Sequence, residues 1–236
     1  MTSRKILPLL FVLIFNLWLI KIFRYNVFIG ITVILGSIFV YLSIQAGIKK
    51  YFYISALFIS VLMIFQYKTS SINSLVFLNE NEKIEQQQRM RGYPKSLYRF
   101  ANWLEQRKEA IIFYKIEDNF SEVVDPNLYF FANHPRERIG VVEYEKLPYV
   151  LLPFFVMGIL FVKKSGHNIL LLSVSPLIPL SLIGNSNPIG PFSLFPFLAA
   201  YVAIGLEPVF KNKKYFFAFI LVFSLVFIQT ISYATY

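Results

Sequence analysis

Long apolar runs alternate with short charged segments along this chain of 236 residues. One long polar stretch, Tyr67 to Leu147, separates three apolar runs from four later ones. The seven runs are Ile6 to Ile20, Val27 to Ala46, Tyr51 to Phe65, Pro148 to Val162, Asn168 to Ile183, Phe192 to Leu206 and Tyr215 to Tyr236. Roughly 20 apolar residues span a bilayer as a helix, and several of these runs are shorter. The pattern predicts an all-α, polytopic transmembrane helix bundle with about seven spans, or six if one run does not cross.

The polar stretch divides the chain into residues 1–66, 67–147 and 148–236. Inside it, apolar residues recur at helical spacing from Leu97 to Leu104 and again from Ile112 to Val124, where Asp125 and Pro126 favour an end. We expect two amphipathic helices that lie along the outer membrane surface or cap the bundle. The charged run from Asn79 to Arg91 predicts a solvated helix or a linker.

Two prolines, Pro176 and Pro179, interrupt the fifth apolar run. Each lacks a backbone N–H donor, so the run is predicted to be kinked or broken there. The carbonyl groups released by such a break need other partners at membrane depth. A tolerated bend packed on neighbouring helices and a break that lines a substrate path both fit the pattern.

Basic residues are concentrated in the short gaps between apolar runs. The polar stretch holds 12 basic and 12 acidic residues, whereas the rest of the chain holds 11 basic residues and one acid, Glu207. With a cytoplasmic N-terminus, nine basic residues fall in short inner segments, and only Lys21 and Arg24 fall in outer connections. The positive-inside rule therefore predicts a multi-pass cell-membrane protein whose residues 67–147 form a helical extracytoplasmic loop domain, with an extracytoplasmic C-terminus.

Composition narrows the class of protein further. The formal charge of +10 comes from residues that flank apolar runs, not from a basic patch with interleaved aromatics, so we expect the lipid bilayer and no nucleic acid as a partner. The chain has no cysteine, which removes thiolate nucleophiles and most zinc sites, and we expect no metal and no cofactor. Arg4 and Lys5 before the first run resemble a signal peptide, but the small-residue cleavage site is missing and we expect a retained helix.

The densest candidate chemistry lies between Asp125 and Lys146. Arg136 and Arg138, with His134 close by in sequence, are candidates to bind a phosphate or pyrophosphate headgroup. Guanidinium groups remain charged and match phosphate oxygens in pairs. The alternative is structural, because arginines in such a mixed segment also pair with neighbouring carboxylates to fix a loop.

Carboxylates in the same segment are the candidate catalytic groups. Glu137 or Glu143 would act as a general base if removed from water, and Asp125 is a third candidate. If the protein is an enzyme that depends on such an acid, Glu137→Gln is predicted to abolish its reaction and leave folding intact. The competing interpretation again has these acids in ion pairs.

Several stretches resemble the C-terminal part of multi-spanning glycosyltransferases of the GT-C type. The matching elements are Asp125 to Phe131, Leu147 to Phe155 with Gly158, Ser175 to Pro179, Gly184 to Pro188, and Phe195 to Gly205. Enzymes of this family take sugars from polyprenyl-phosphate donors on the outer face of the membrane. The resemblance implies that this chain binds a polyprenyl-phosphate-linked sugar or a catalytic membrane partner in cell-envelope glycan assembly.

The chain departs from that family at its catalytic positions. The family's catalytic acid lies in the first extracytoplasmic loop, whereas the corresponding gap here, Lys21 to Asn26, contains no acid. An arginine expected beyond the later outer turn is missing between Gly184 and Pro191. We therefore expect a protein without autonomous catalysis. The alternatives are a structural or assembly subunit of a membrane complex and, less favoured because its spans contain few polar residues, a transporter subunit.

Overall fold

The structure is a computed structural model that describes residues 6–70, 75–78, 80–131, 145–165, 167–184 and 187–234. These ranges contain thirteen α-helices and no strand, which confirms the all-α prediction for the described part of the chain. The helices are α1 (Leu7–Ile14), α2 (Leu17–Tyr25), α3 (Val27–Ala46), α4 (Lys49–Thr69), α5 (Glu80–Arg91), α6 (Tyr98–Glu105), α7 (Lys108–Val124), α8 (Asn127–Phe130), α9 (Leu152–Ser165), α10 (His167–Val174), α11 (Leu177–Ile183), α12 (Phe195–Lys211) and α13 (Lys213–Ala234).

Four helical segments in the described ranges are long and apolar enough to cross a membrane. They are Val27–Ala46, Lys49–Thr69, Phe192–Lys211 and Lys213–Ser232. The pair α1 and α2 passes the same test as one bent segment, which makes a fifth candidate. The other two predicted runs form shorter apolar segments: Tyr149–Val162, which contains most of α9, and Asn168–Ile183, which is divided between α10 and α11. Length and composition therefore give four or five membrane-spanning candidates.

The first predicted span is not a single straight helix. Helices α1 and α2 meet at an angle of 63° across a break at Phe15 and Asn16. The Asn16 side chain is buried and accepts a hydrogen bond from the Leu19 amide over 2.9 Å, so it caps a new helix. Lys21 and Arg24, expected in the connection to the next span, lie within α2. The buried cap explains why the direction changes earlier than the apolar pattern indicates.

The predicted proline break in the fifth run is confirmed. Helix α10 ends at Val174, and α11 begins at Leu177 directly after Pro176. Pro179 falls in the first turn of α11, where a missing N–H leaves no helical hydrogen bond unmade. The Ser175 hydroxyl lies in the break, donates to the Leu172 carbonyl over 2.7 Å, and is 3.9 Å from the Met63 sulfur.

Helix α12 lies at the centre of the bundle. Every residue from Phe195 to Leu206 is buried, and α1, α3, α9 and α13 surround it. Phe11 contacts Phe210 near the end of α12, whereas Trp18 contacts Phe195 near its start. The first two helices therefore run in the opposite direction to α12.

Helices α9 and α12 approach each other at two glycines. A Cβ atom on Gly158 would overlap the Tyr201 carbonyl oxygen, and one on Gly205 would overlap the Phe154 carbonyl oxygen. Each glycine thus faces the residue that lies one helical turn before the other glycine. Small residues at such a crossing let two backbones come into direct contact, which is a common basis of helix association in membranes.

The polar stretch contains the two predicted amphipathic helices, α6 and α7, and its earlier charged run forms α5. Helix α7 packs along α11, where the Asn119 amide donates to the Ser181 carbonyl over 3.1 Å. A Cβ atom on Gly184 would lie only 2.7 Å from the Asn119 side-chain oxygen, and the φ of +67° at this position also favours glycine. These contacts attach the polar stretch to the apolar bundle through α11.

Candidate functional site

The sequence places its candidate site in a segment that the structure describes only at the two ends. The candidate phosphate ligands His134, Arg136 and Arg138, and the candidate acids Glu137 and Glu143, lie outside the described residues. Asp125 lies inside them, as do Glu145 and Lys146 at the other end of the segment. The two ends of the segment are held by contacts with the apolar bundle and with each other.

Asp125 ends α7 and begins the turn into α8. One carboxylate oxygen accepts a hydrogen bond from the Asn127 amide over 2.9 Å, a common way for aspartate to hold a turn. The Asp125 amide in turn donates to the Ser121 carbonyl over 3.1 Å. These two bonds give the predicted catalytic candidate a defined local structural role.

Two hydrogen bonds join the chain before the candidate segment to the chain after it. The Leu147 amide donates to the Tyr129 carbonyl over 2.8 Å. The Lys146 ammonium, which is buried, donates to the Leu128 carbonyl, also over 2.8 Å. We call these four residues the stem. Because the stem is closed by hydrogen bonds, the chain that ends at Phe131 and the chain that resumes at Glu145 are held together at one place on the bundle.

The stem packs beside Trp18, which is hydrogen-bonded to the turn before α12. The ring of Tyr129 lies 6.0 Å from that of Trp18, whose indole N–H donates to the Ile189 carbonyl over 2.6 Å. The Tyr129 hydroxyl donates to the Val123 carbonyl over 2.6 Å. Burial, and secondarily the nearby Glu122 and Asp125 carboxylates, raise the pKa of Tyr129 well above its usual value. The phenol is therefore a neutral structural donor.

The turn that receives the Trp18 hydrogen bond is fixed by a buried polar group on α4. The Gln66 side chain has no solvent exposure; its amide donates to the Gly190 carbonyl over 3.3 Å, and its oxygen accepts from the Ser193 amide over 3.3 Å. A second link joins the Asn187 amide to the Thr69 hydroxyl over 2.6 Å. Gln66 was not among the sequence-predicted site residues, although it directly follows an apolar run.

The opposite end of the bundle holds a second polar cluster. Glu207 accepts hydrogen bonds from the Tyr41 hydroxyl, over 3.0 Å, and from the Gln45 amide, and it lies 3.6 Å from the Lys211 ammonium. The cluster joins the end of α3 to the end of α12. Glu207 stands out in the sequence as the one acid outside the polar stretch, but only the structure gives it partners.

Glu145 is a half-buried acid beside the stem. Its carboxylate accepts a hydrogen bond from the Thr230 hydroxyl on α13 over 2.8 Å. Burial raises the pKa of Glu145 above its usual value of 4.5, and the hydrogen bond from Thr230 opposes that shift less strongly. The folded protein therefore holds this proton more tightly than the unfolded chain does.

This shift predicts a pH-dependent stability with a definite sign. Because the folded pKa is raised, the contribution of Glu145 is most favourable below pH 4.5 and falls as the pH rises from 4.5 through the folded pKa. Glu145→Gln keeps an oxygen for Thr230 and removes the ionisation. We expect it to raise the thermal midpoint at neutral pH, measured in detergent across this range, and to flatten this part of the pH profile. A higher midpoint for wild type at neutral pH would contradict this assignment.

Among the residues that the structure describes, no group of three or more His, Asp or Glu side chains is arranged to hold a metal ion. Comparisons with protein-family models, with curated proteins and with solved structures give no significant match.

Proposed function

We propose that this chain is a multi-pass membrane protein with about seven membrane segments and a cytoplasmic N-terminus. In this topology α1 with α2, α9, and α10 with α11 are embedded together with the four long helical segments. The distribution of basic residues supports the orientation. In this orientation the stem and the turn before α12 lie at the extracytoplasmic end, and the Glu207 cluster lies at the cytoplasmic end.

We further propose that the chain binds a polyprenyl-phosphate-linked sugar, without catalysing transfer by itself, during assembly of cell-envelope glycans. The stem is the observation that carries this proposal. It attaches a segment with two arginines and a histidine to the end of the apolar bundle, where a lipid phosphate would meet the protein. Arginine is well suited to bind such a phosphate because it offers paired donors and a permanent charge. In this proposal Arg136, Arg138 and His134 contact the phosphate.

Substitution of the two arginines tests the proposed binding. We expect Arg136→Gln and Arg138→Gln each to weaken the binding of a polyprenyl phosphate by on the order of tenfold or more, because each loses charge-assisted hydrogen bonds. Binding is measured with the purified full chain in detergent or nanodiscs, with phosphatidic acid as a competitor. Arg91→Gln removes an exposed arginine from α5 and serves as the matched control.

The outcomes separate the possible functions. Equal affinity of wild type and both variants would contradict the assigned phosphate ligands, and equal competition by phosphatidic acid would contradict a site for the polyprenyl chain. Sugar transfer by the wild type that is lost in Glu137→Gln would instead support an enzyme. Unchanged transfer in the carboxamide variants of Glu137, Glu143 and Asp125 would remove these acids as catalytic groups.

A second candidate function is that of an assembly subunit in a membrane complex. Helices α4 and α13 leave most of their apolar side chains uncovered. Only 22% of the residues in the apolar stretch of each helix are buried. Their exposed side chains include Tyr53, Leu57 and Ile64 on α4, and Phe217, Leu221, Leu225 and Ile228 on α13. Lipid tails or partner helices would cover such surfaces. A stable complex of fixed stoichiometry after purification in mild detergent supports this function, whereas a monomer that retains a polyprenyl-phosphate lipid supports the first.

A further inference from the structure

Helix α6 presents two exposed aromatic rings to its surroundings. Phe100 is 56% exposed and Trp103 is 52% exposed, and their ring centroids lie 5.8 Å apart. Leu97, just before the helix, is also exposed. Large apolar side chains are normally exposed singly on soluble surfaces, so a contiguous group marks a surface that contacts something.

Basic groups accompany the aromatic rings. The Arg107 guanidinium lies over the Trp103 ring, 3.7 Å from its centroid, and Arg99 is exposed on the same helix. Lys95 is exposed just before the helix. We call Leu97, Phe100 and Trp103 with Lys95, Arg99 and Arg107 the α6 face. Tryptophan beside arginine and lysine is typical of a surface placed among lipid headgroups.

The acid of α6 is kept away from this face. The Glu105 side chain is fully buried on the opposite side, where its carboxylate lies 3.3 Å from the Arg89 guanidinium and accepts a hydrogen bond from the Tyr114 hydroxyl over 3.2 Å. Ala101 is buried on the same inner side. The six residues of the α6 face carry three positive charges, and the adjoining pocket on α7 adds one exposed acid, Glu109.

The α6 face is also connected to the apolar bundle. Helix α6 packs on α7, which lies along α11, one of the short apolar helices. A pocket of about 280 Å³ extends the apolar surface from α6 onto α7; its lining residues are Leu104, Arg107, Glu109, Ala110, Phe113 and Tyr114. Phe113 is 63% exposed beside it. Helices held beside membrane-spanning segments in this way are within reach of the bilayer surface.

We propose that the α6 face binds an anionic phospholipid leaflet. The rings of Phe100 and Trp103 insert at the boundary between the lipid headgroups and the acyl chains, and Lys95, Arg99 and Arg107 pair with lipid phosphates. Helix α7 meanwhile packs along α11. The positive charge of the face favours anionic lipid over zwitterionic lipid, and this assignment does not depend on binding of a lipid-linked sugar.

The chain offers a direct optical test because it contains two tryptophans, buried Trp18 and exposed Trp103. The full chain is reconstituted in nanodiscs, and the emission of Trp103 is obtained as the difference between wild type and Trp103→Phe. We expect quenching by phosphatidylcholine brominated near the headgroup and little quenching by aqueous acrylamide. Adding phosphatidylglycerol is expected to shift the emission to shorter wavelength and to increase the quenching by bromolipid.

Two charge variants test the basis of the lipid preference. Arg99→Gln and Arg107→Gln are expected to lose the response to phosphatidylglycerol, whereas Arg91→Gln on α5 keeps it. Acrylamide quenching without bromolipid quenching would overturn the proposal because it would place Trp103 in water. Protection from both quenchers would also overturn it, since protein would then cover the α6 face. A response to phosphatidylglycerol that both arginine variants retain would overturn the role of charge.

Discussion

Gly158→Ala is expected to lower the stability of the folded protein by about 1 to 3 kcal/mol, even though alanine is the better helix former. The added Cβ would overlap the Tyr201 carbonyl oxygen and lie 2.6 Å from the carbonyl carbon. Both are backbone atoms, so no side-chain rotation relieves the overlap. Helices α9 and α12 must therefore separate along their contact. Thermal unfolding in mild detergent measures the loss.

Gly205, on α12, is the second glycine at this crossing, and adding a Cβ atom there is expected to have the same effect. A Cβ on Gly205 would lie 2.7 Å from the Phe154 carbonyl carbon, so Gly205→Ala is expected to destabilise the protein by a similar amount. The two changes act on one contact and should be less than additive, because a single separation relieves both overlaps. Gly158→Leu is expected to prevent recovery of monodisperse protein.

An exposed position on α13 provides the control for added volume. Ala218 is exposed, so Ala218→Leu introduces a large side chain without a backbone clash and is expected to leave the thermal midpoint unchanged. If Gly158→Ala and Gly205→Ala also leave it unchanged, α9 and α12 are not in backbone contact. Equal loss in all three variants would point to a general intolerance of added volume.

The sequence predicted helices well where one local signal dominated. Apolar length alone identifies α3 and α13, and the proline pair correctly predicts the break between α10 and α11. The helical period predicts α7, and Asp125 with Pro126 marks its end at Val124. These signals act within a few residues, so no tertiary contact is needed to read them.

Contacts between distant segments could not be predicted in the same way. Asn16 lies inside an apolar run, and only its burial and its hydrogen bond to Leu19 reveal that it caps a second helix. The contact of Gly158 with Tyr201 depends on how α9 crosses α12, and the hydrophobic period of the sequence does not predict that crossing. For the candidate site, the sequence identifies Arg136 and Arg138 as candidate phosphate ligands. The hydrogen bonds of the stem, which lies at the two ends of their segment, could be found only in the structure.

Gln66→Leu is the other change with a large expected effect. Leucine fills a similar volume, but it can neither donate to the Gly190 carbonyl nor accept from the Ser193 amide, which are buried at the turn before α12. The Gly190 carbonyl keeps the hydrogen bond that the Phe192 amide donates to it over 2.9 Å, whereas the Ser193 amide loses its side-chain acceptor. A buried group left without its partner costs about 1 to 3 kcal/mol. We expect a loss of about 2 kcal/mol, measured by thermal unfolding in detergent. Gln229→Leu, at an exposed position on α13, is the matched control and is expected to be neutral.

Gln66→Leu should also affect the proposed lipid site, because the turn before α12 connects Gln66 to the stem. Gln66 holds Gly190, the neighbouring Ile189 carbonyl accepts from Trp18, and the Trp18 ring supports Tyr129 of the stem. Below its unfolding temperature, Gln66→Leu is thus expected to weaken polyprenyl-phosphate binding, with Gln229→Leu unchanged. A lower thermal midpoint with wild-type affinity would show that the turn stabilises the bundle without positioning the stem. An unchanged midpoint would contradict the role of Gln66 in fixing the turn, since the buried Ser193 amide would have lost its side-chain acceptor at no cost.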